Sequence, residues 1–248
     1  MAMQAILTYH SVDGSGSPIS IDPGAFQRHV SWLATGPVEV MGVDDLLAAD
    51  PGVDAVALTF DDGFVNFATV AWPMLRERGL DATLCVVTDR AGTDNNWDGP
   101  RAGIPTLPLL DWAAIGRLAE EGVAIASHTR SHSRLTELEP ASLEDELDGS
   151  AERIRAELGI RPRGLAYPYG RVDDRVAAAA ARTYEWACTT ELRSLEPPES
   201  PCLLPRLDMY YFRERGRLEQ WGSGLFRKRI WLRANARRLR QKLNVRGA

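Results

Sequence analysis

A chain of 248 residues, 44% hydrophobic and 25% charged, can bury a sizeable core, which sets aside disordered and fibrous classes. No run approaches the roughly 18 consecutive apolar residues that a membrane-spanning helix needs, and the start "MAMQAILTYHSV" enters a strand-like segment without the pattern of a secretory leader, so the expected setting is cytoplasmic. The net charge of −5 hides an asymmetry: residues 213–248 hold twelve Arg or Lys against two Glu, or +10, leaving −15 for the rest.

Along the chain, apolar strand-like runs alternate with segments of helical period, the pattern of a parallel α/β fold with crossover helices. The runs predict strands at residues 4–8, 53–60, 82–88, 123–127, 164–167, 185–190 and 203–208, with a short one at 38–41. Seven or eight parallel strands imply a closed or nearly closed barrel. Phe26, Val30 and Leu33 recur at helical spacing; further helices are predicted at 66–78 before Gly79 and at 110–121 before Gly122. Ser142, with Asp145 three residues on, is expected to open a long helix ending at Gly159, and an Ala-rich helix follows at 172–182. Cys85, Cys188 and Cys202 lie far apart and form no Cys-x-x-Cys pattern, so they read as buried packing residues.

Chemistry in such a fold gathers where the strands end. "LTFDDG" places Asp61 beside Asp62 at one such end, and two adjacent anions leaving water call for a compensating cation or donors. After the strand "VAIAS" comes "HTRSH", a His-x-x-x-His spacing at His128 and His132 that lets two imidazoles converge on one ion when the segment is helical or tightly turned. With Asp62 they make a two-His-one-carboxylate set, which leaves coordination positions open and is catalytic in type. The alternative is a structural cluster of polar loop residues. His10 and Tyr169 also stand at strand ends, whereas His29, beside Phe26 and Val30 on a helix face, reads as structural.

"TFDDG", "SHTRSH" and "YPYG" occur in the order and spacing of the polysaccharide deacetylase family, the NodB-homology domains of carbohydrate esterase family 4, and the chain resembles that family over residues 4–210. The resemblance implies a distorted (β/α) barrel of about seven strands. It also implies that Asp62, His128 and His132 bind one divalent metal ion, commonly Zn2+ with Co2+, Ni2+ or Mn2+ as alternatives, that Asp61 is the general base, and that the backbone N–H of Tyr169 helps hold an oxyanion. Such a site would activate water against an acetyl group.

Two departures from the family pattern stand out. Many members supply the leaving amine with a proton from a His near the end of the domain, and no His follows His132 here. His10, in "LTYHSV", is the substitute, and this chain resembles the branch that begins with a Tyr-His motif, which includes poly-N-acetylglucosamine deacetylases. The Arg that pairs with the base in many members is replaced by Ala166; Arg206, in "LPRLDM", is the candidate to take its place, a surface Arg being the alternative. Trp97 in "DNNWDG" and Tyr167 in the third motif are expected to contact substrate, since a sugar's C–H face packs well on an aromatic ring.

Residues 1–212 are thus expected to form the catalytic domain and 213–248 a basic amphipathic segment. The latter mixes Trp221, Leu225, Phe226, Ile230, Trp231 and Leu232 with dense Arg, the composition of an interfacial helix drawn to an anionic membrane surface; a solvated helix packed on the acidic body is the alternative. No nucleic-acid recognition motif accompanies the charge. The resulting expectation is a metal-dependent hydrolase removing an N-acetyl group, in preference to an O-acetyl group, from a sugar in a polysaccharide or glycan precursor. An amidase of the same superfamily acting on a lipid-linked sugar or a non-carbohydrate amide is the enzymatic alternative. A glycan-binding module with a decayed site is the non-enzymatic one.

Overall fold

The computed structural model describes residues 2–36 and 38–245, with side chains described as far as Leu239 apart from position 37. Of the twelve basic residues counted above, Arg246 lies outside the described residues, and the side chains of Arg240 and Lys242 are likewise outside them. In chain order the strands are β1 (Gln4–Tyr9), β2 (Ser11–Val12), β3 (Ser20–Ile21), β4 (Glu39–Val40), β5 (Ala55–Phe60), β6 (Thr83–Val86), β7 (Ala124–Ser127), β8 (Gly164–Ala166), β9 (Trp186–Cys188) and β10 (Arg206–Asp208). The helices are α1 (Pro23–Thr35), α2 (Val43–Ala48), α3 (Trp72–Glu77), α4 (Trp112–Glu120), α5 (Pro140–Leu158), α6 (Asp174–Thr183) and α7 (Gly224–Val245).

Seven strands pair in parallel in the order β10, β1, β5, β6, β7, β8, β9, and β4 adds itself along the first residues of β5. The two ends of this sheet meet at one parallel bridge, Cys188 to Leu204, where the N–H of Thr189 donates to the Leu204 carbonyl at 2.8 Å. The result is a nearly closed seven-stranded (β/α) barrel, as the spacing of apolar runs predicts.

The strands form where they do because a parallel sheet covered on both faces needs continuous apolar runs. "QAILTY" and "AVALTF" are buried at every position. With a side-chain period of two, Ile6, Ala57, Cys85, Ala126, Ala166 and Cys188 share one core, and Leu7, Leu58, Leu84 and Ile125 join a larger one beneath the helices. The first set is dominated by small side chains, which suits the narrow interior of a seven-stranded ring. All three cysteines are buried and free.

Asp22, Asp111 and Asp173 cap α1, α4 and α6, each side chain accepting from backbone N–H groups of the first turn. The helix expected at 66–78 is present, but its first part, Phe67–Ala71, is a π-helical turn leading into α3. The expected start of α5 is corrected: Pro140 occupies the first turn and Glu139 the cap, so Ser142 lies inside the helix, and Gly159 closes it at φ 72°.

The basic segment after residue 212 is continuous with this core. Phe226 is fully buried and Ile230 nearly so, and both lie in one apolar cluster with Phe212, Leu218 and β1. Burying two such side chains contributes about 1.5–3 kcal/mol each, enough to hold the first half of α7 against the barrel. Among the described residues no helix is long and apolar enough to cross a membrane.

Candidate active site

The inward-facing register of three strands ends in polar side chains. On β5 the inward positions run Ala57, Thr59 and then Asp61; β7 continues from Ala126 to His128; β1 from Ile6 and Thr8 to His10. Alternation would send Asp62 to the other face. Its backbone instead turns left-handed, with φ 74°, and both carboxylates reach the same mouth, at 2% and 5% exposure.

Asp61 meets Arg206, which is 1% exposed. Nη1 and Nη2 of the guanidinium donate to Oδ1 and Oδ2, both at 2.7 Å, in a bidentate pair. Nε donates to the Thr189 carbonyl at 3.0 Å and Nη1 also to Thr59 Oγ1 at 3.2 Å, which locks the fork in place. Burial alone would raise the carboxyl's pKa, but the charge of Arg206 overrides it and holds Asp61 well below the usual carboxylate range. Asp61 is therefore a fixed anion. His10, partly exposed, stands next to it with Nε2 3.8 Å from Oδ2.

Asp62 makes no such pair. Its Oδ1 lies 3.3 Å from His128 Nε2 and 3.5 Å from His132 Nε2, and Oδ1 of Asp62 and Nδ1 of His132 are buried without a hydrogen-bond partner. His128 Nδ1 sits 2.7 Å from the Ala166 carbonyl, so it carries the hydrogen and donates, and Nε2 faces the Asp62 carboxylate. Burial disfavours a charged ring, but the contact with Asp62 and the charges of Asp61 and Asp62 outweigh it and raise the His128 pKa. Burial, reinforced by charge on the neighbouring His128, lowers the His132 pKa to about 3, so that ring is neutral. Three potential ligand atoms within 4.8 Å of one another, from Asp62, His128 and His132, thus converge on a small space. A proton on His128 or a bound cation relieves the crowding of lone pairs there, and two imidazoles with one carboxylate are a donor set that fits Zn2+ or a similar divalent ion.

The loop that turns His132 back toward His128 is tight rather than helical. Thr129 and His132 adopt φ 66° and 65°, and the His132 N–H donates to Thr129 Oγ1 at 3.2 Å. Glu146 on α5 accepts from the N–H groups of Arg130 and Ser131, both at 3.0 Å, and from the Ser131 hydroxyl. A helix across the barrel's outside thereby braces the loop that carries two of the site's side chains.

Around the mouth, Trp97 packs on the His132 ring with centroids 4.1 Å apart, and Tyr169 meets the same ring edge-on at 4.7 Å. The Tyr169 hydroxyl donates to Asp98 at 2.7 Å, and the Arg101 and Arg134 guanidinium groups lie over its ring at 5.2 and 4.9 Å. Asp98, Arg101 and Arg134 were not apparent from the sequence, because nothing in their local spacing ties a polar loop at 98–101 to the loop after β7. The substrate expectation for Tyr167 is corrected. Its side chain is fully buried, and the hydroxyl donates to the Cys202 carbonyl at 3.0 Å, so the ring belongs to the core rather than to the mouth. His29 is structural as expected, with ring nitrogens on the Tyr9 hydroxyl and the Phe212 carbonyl.

The family profile described as polysaccharide deacetylase matches residues 48–185, more than half of the chain. The chain belongs to the polysaccharide deacetylase family. YxkH of Bacillus subtilis (strain 168), named for this family, is 27% identical over 192 residues, a match covering 75% of this chain and 64% of YxkH. A chitooligosaccharide deacetylase of Bradyrhizobium sp. (strain ANU 289) is 32% identical over 133 residues, 53% of each chain. The matched region thus spans less than two thirds of these relatives' own length. The Streptococcus pyogenes deacetylase PplD, solved in complex with acetate, superposes with a TM-score of 0.71 at 22% identity, covering 84% of this chain and 92% of that one, and has the same fold.

Proposed function

We propose that this member of the family hydrolyses an N-acetyl group on a sugar of a polysaccharide or glycan precursor, with Asp62, His128 and His132 holding a divalent cation, most naturally Zn2+. A cation held there supplies a Lewis acid that acidifies water and polarises a carbonyl. The observation that carries the reading is the division of labour between neighbouring carboxylates: Asp61 is saturated by Arg206 on one side, while the unpartnered Oδ1 of Asp62 faces the Nε2 atoms of two imidazoles.

The chain's own residues then have distinct tasks. Asp61, fixed by Arg206, takes the proton of the attacking water at Oδ2, the oxygen nearer His10. As the carbon–nitrogen bond breaks, His10 Nε2 gives a proton to the departing amine, and acetate and the free amine are the products. A donor at this point serves an amide more than an ester, since an amine cannot depart as an anion, and this favours N-acetyl over O-acetyl. Trp97 offers an aromatic face at the mouth for a sugar ring, and the Tyr169 backbone N–H is the further candidate to steady the oxyanion.

The test uses the full chain loaded with Zn2+, with Asp62→Ala, His132→Ala and Asp61→Asn beside it. Elemental analysis should find one ion per wild-type chain and markedly less in the first two variants. Asp61→Asn should retain the ion and lose acetate release from N-acetylated oligosaccharides. Equal metal content in all four proteins would remove the ligand assignment. A metal-loaded wild type that bound these sugars yet released no acetate would favour a glycan-binding module.

A further inference from the structure

Helix α7 has two faces of opposite use. Phe226 and Ile230 enter the barrel's outer core, whereas Leu225, Leu232 and Leu239, spaced by seven, stack along the side turned away from it and are 51%, 50% and 60% exposed. Trp231, at 63%, adds the largest exposed apolar surface beside them. The helix itself is wholly cationic, for "GLFRKRIWLRANARRLRQKLNV" contains no Asp or Glu. Arg193, Arg227, Lys228 and Arg238 border, with Trp231 and a single acid, Glu196, a groove of about 560 Å³.

We propose that this face of α7 docks the protein on an anionic phospholipid bilayer. Apolar side chains among cations fit a headgroup region, where leucines reach the acyl boundary, Trp231 sits at headgroup level and the guanidinium and ammonium groups meet phosphate. Leucines seven apart would also suit a second copy of this helix. Pairing two copies, however, brings Lys228 and Arg229 of each against the other with no acid on either helix, whereas lipid supplies the missing anions. The −15 carried by residues 1–212 is repelled by the same surface and orients the molecule with α7 toward it.

The docked helix would place the mouth of the barrel beside the lipid. Arg238 donates to Glu191 at 2.7 Å, and Arg237 and Arg238 line a cavity of about 270 Å³ with Gly170 and Thr190, residues beyond the ends of β8 and β9 on the same side of the barrel as Asp61 and His128. The surface stands or falls independently of the reaction proposed above, because its test reads binding alone.

Flotation of the full chain with vesicles of phosphatidylglycerol and phosphatidylcholine, and with phosphatidylcholine alone, measures it directly. The wild type should float with the anionic vesicles at low salt, float far less with the neutral ones, and detach as salt rises. L232E/L239E and K228E change only exposed side chains, so they should keep the wild-type melting temperature, and the Leu pair should cut the bound fraction by about tenfold or more. No flotation of the wild type at low salt would overturn the proposal, as would undiminished binding by L232E/L239E. A lipid-free dimer that L232E/L239E converts to a monomer would assign the face to a second copy and overturn it equally.

Discussion

Arg206→Met replaces the fork that holds Asp61 by an apolar chain of similar length. Lost are both 2.7 Å bonds to the carboxylate and the contacts to Thr189 and Thr59, while Asp61 stays 2% exposed with its charge unmatched. Breaking a buried pair from one side costs about 3–5 kcal/mol, most of it the penalty of the abandoned ion. In a chain of this size each kcal/mol moves the melting temperature by about 2–4 °C, so calorimetry should show a fall of about 6–20 °C. Arg206→Lys keeps a charge but loses the planar fork, and should cost about 1–3 kcal/mol. The double variant Asp61→Asn/Arg206→Met separates the causes: a neutral amide needs no counter-ion, so the double should lose at least about 1–3 kcal/mol less than the sum of the single losses. Acetate release should collapse in every variant that frees or neutralises Asp61, because a mobile or neutral carboxyl no longer presents a fixed base. Additive losses, or Arg206→Met melting with the wild type, would refute the reasoning that Arg206 acts through Asp61.

His10→Ala should retain metal yet slow amide hydrolysis by a factor of about 10²–10⁴, with a smaller loss on activated acetyl esters, whose leaving groups need no proton; equal losses on both would point to a binding role. His29 gives a pH signature in stability. Burial first of all lowers its pKa from 6.5 to about 4, so between those values the unfolded chain takes up a proton that the folded one refuses, and stability falls as pH falls through that window by up to about 3 kcal/mol. Urea unfolding at a series of pH values should show a shallower dependence in His29→Gln, and identical slopes would place the titration elsewhere.

The strands and the metal-ligand candidates were legible because both rest on local pattern. Continuous apolar runs such as "AVALTF" can satisfy a two-sided parallel sheet, and a polar residue closing such a run marks the mouth of a barrel. Arg206 was legible only as a cation within the last apolar run, in a strand that pairs beside the first; its place at the start of β10 is set by the structure. What was not legible depends on long-range packing. Tyr167 and Tyr169 differ by two positions in "YPYG", yet one ring fills the core and the other the mouth, and no local rule separates them. The reach of Phe226 and Ile230 into the barrel was likewise hidden, because one helix carries a core stripe, a solvent stripe and dense charge at once.

Backbone conformation is the remaining hidden layer, and it bears on function. Among the described residues only four other than glycine take positive φ, namely Asp62, Thr129, His132 and Tyr169. Each such residue costs about 1–2 kcal/mol relative to an ordinary conformation. A glycine at Thr129 would relieve that cost, yet its hydroxyl is the acceptor for the His132 N–H, so the strained residue also closes the turn that aims the second imidazole. Asp62 and His132 cannot become glycine without losing the donors themselves. Tyr169 holds its ring against His132 from the far side. All four strained positions thus fall in one mouth, where three place or brace the candidate metal ligands and the fourth fronts them. Stability is spent at the positions where left-handed backbone brings side chains together that regular strand and loop geometry would point apart.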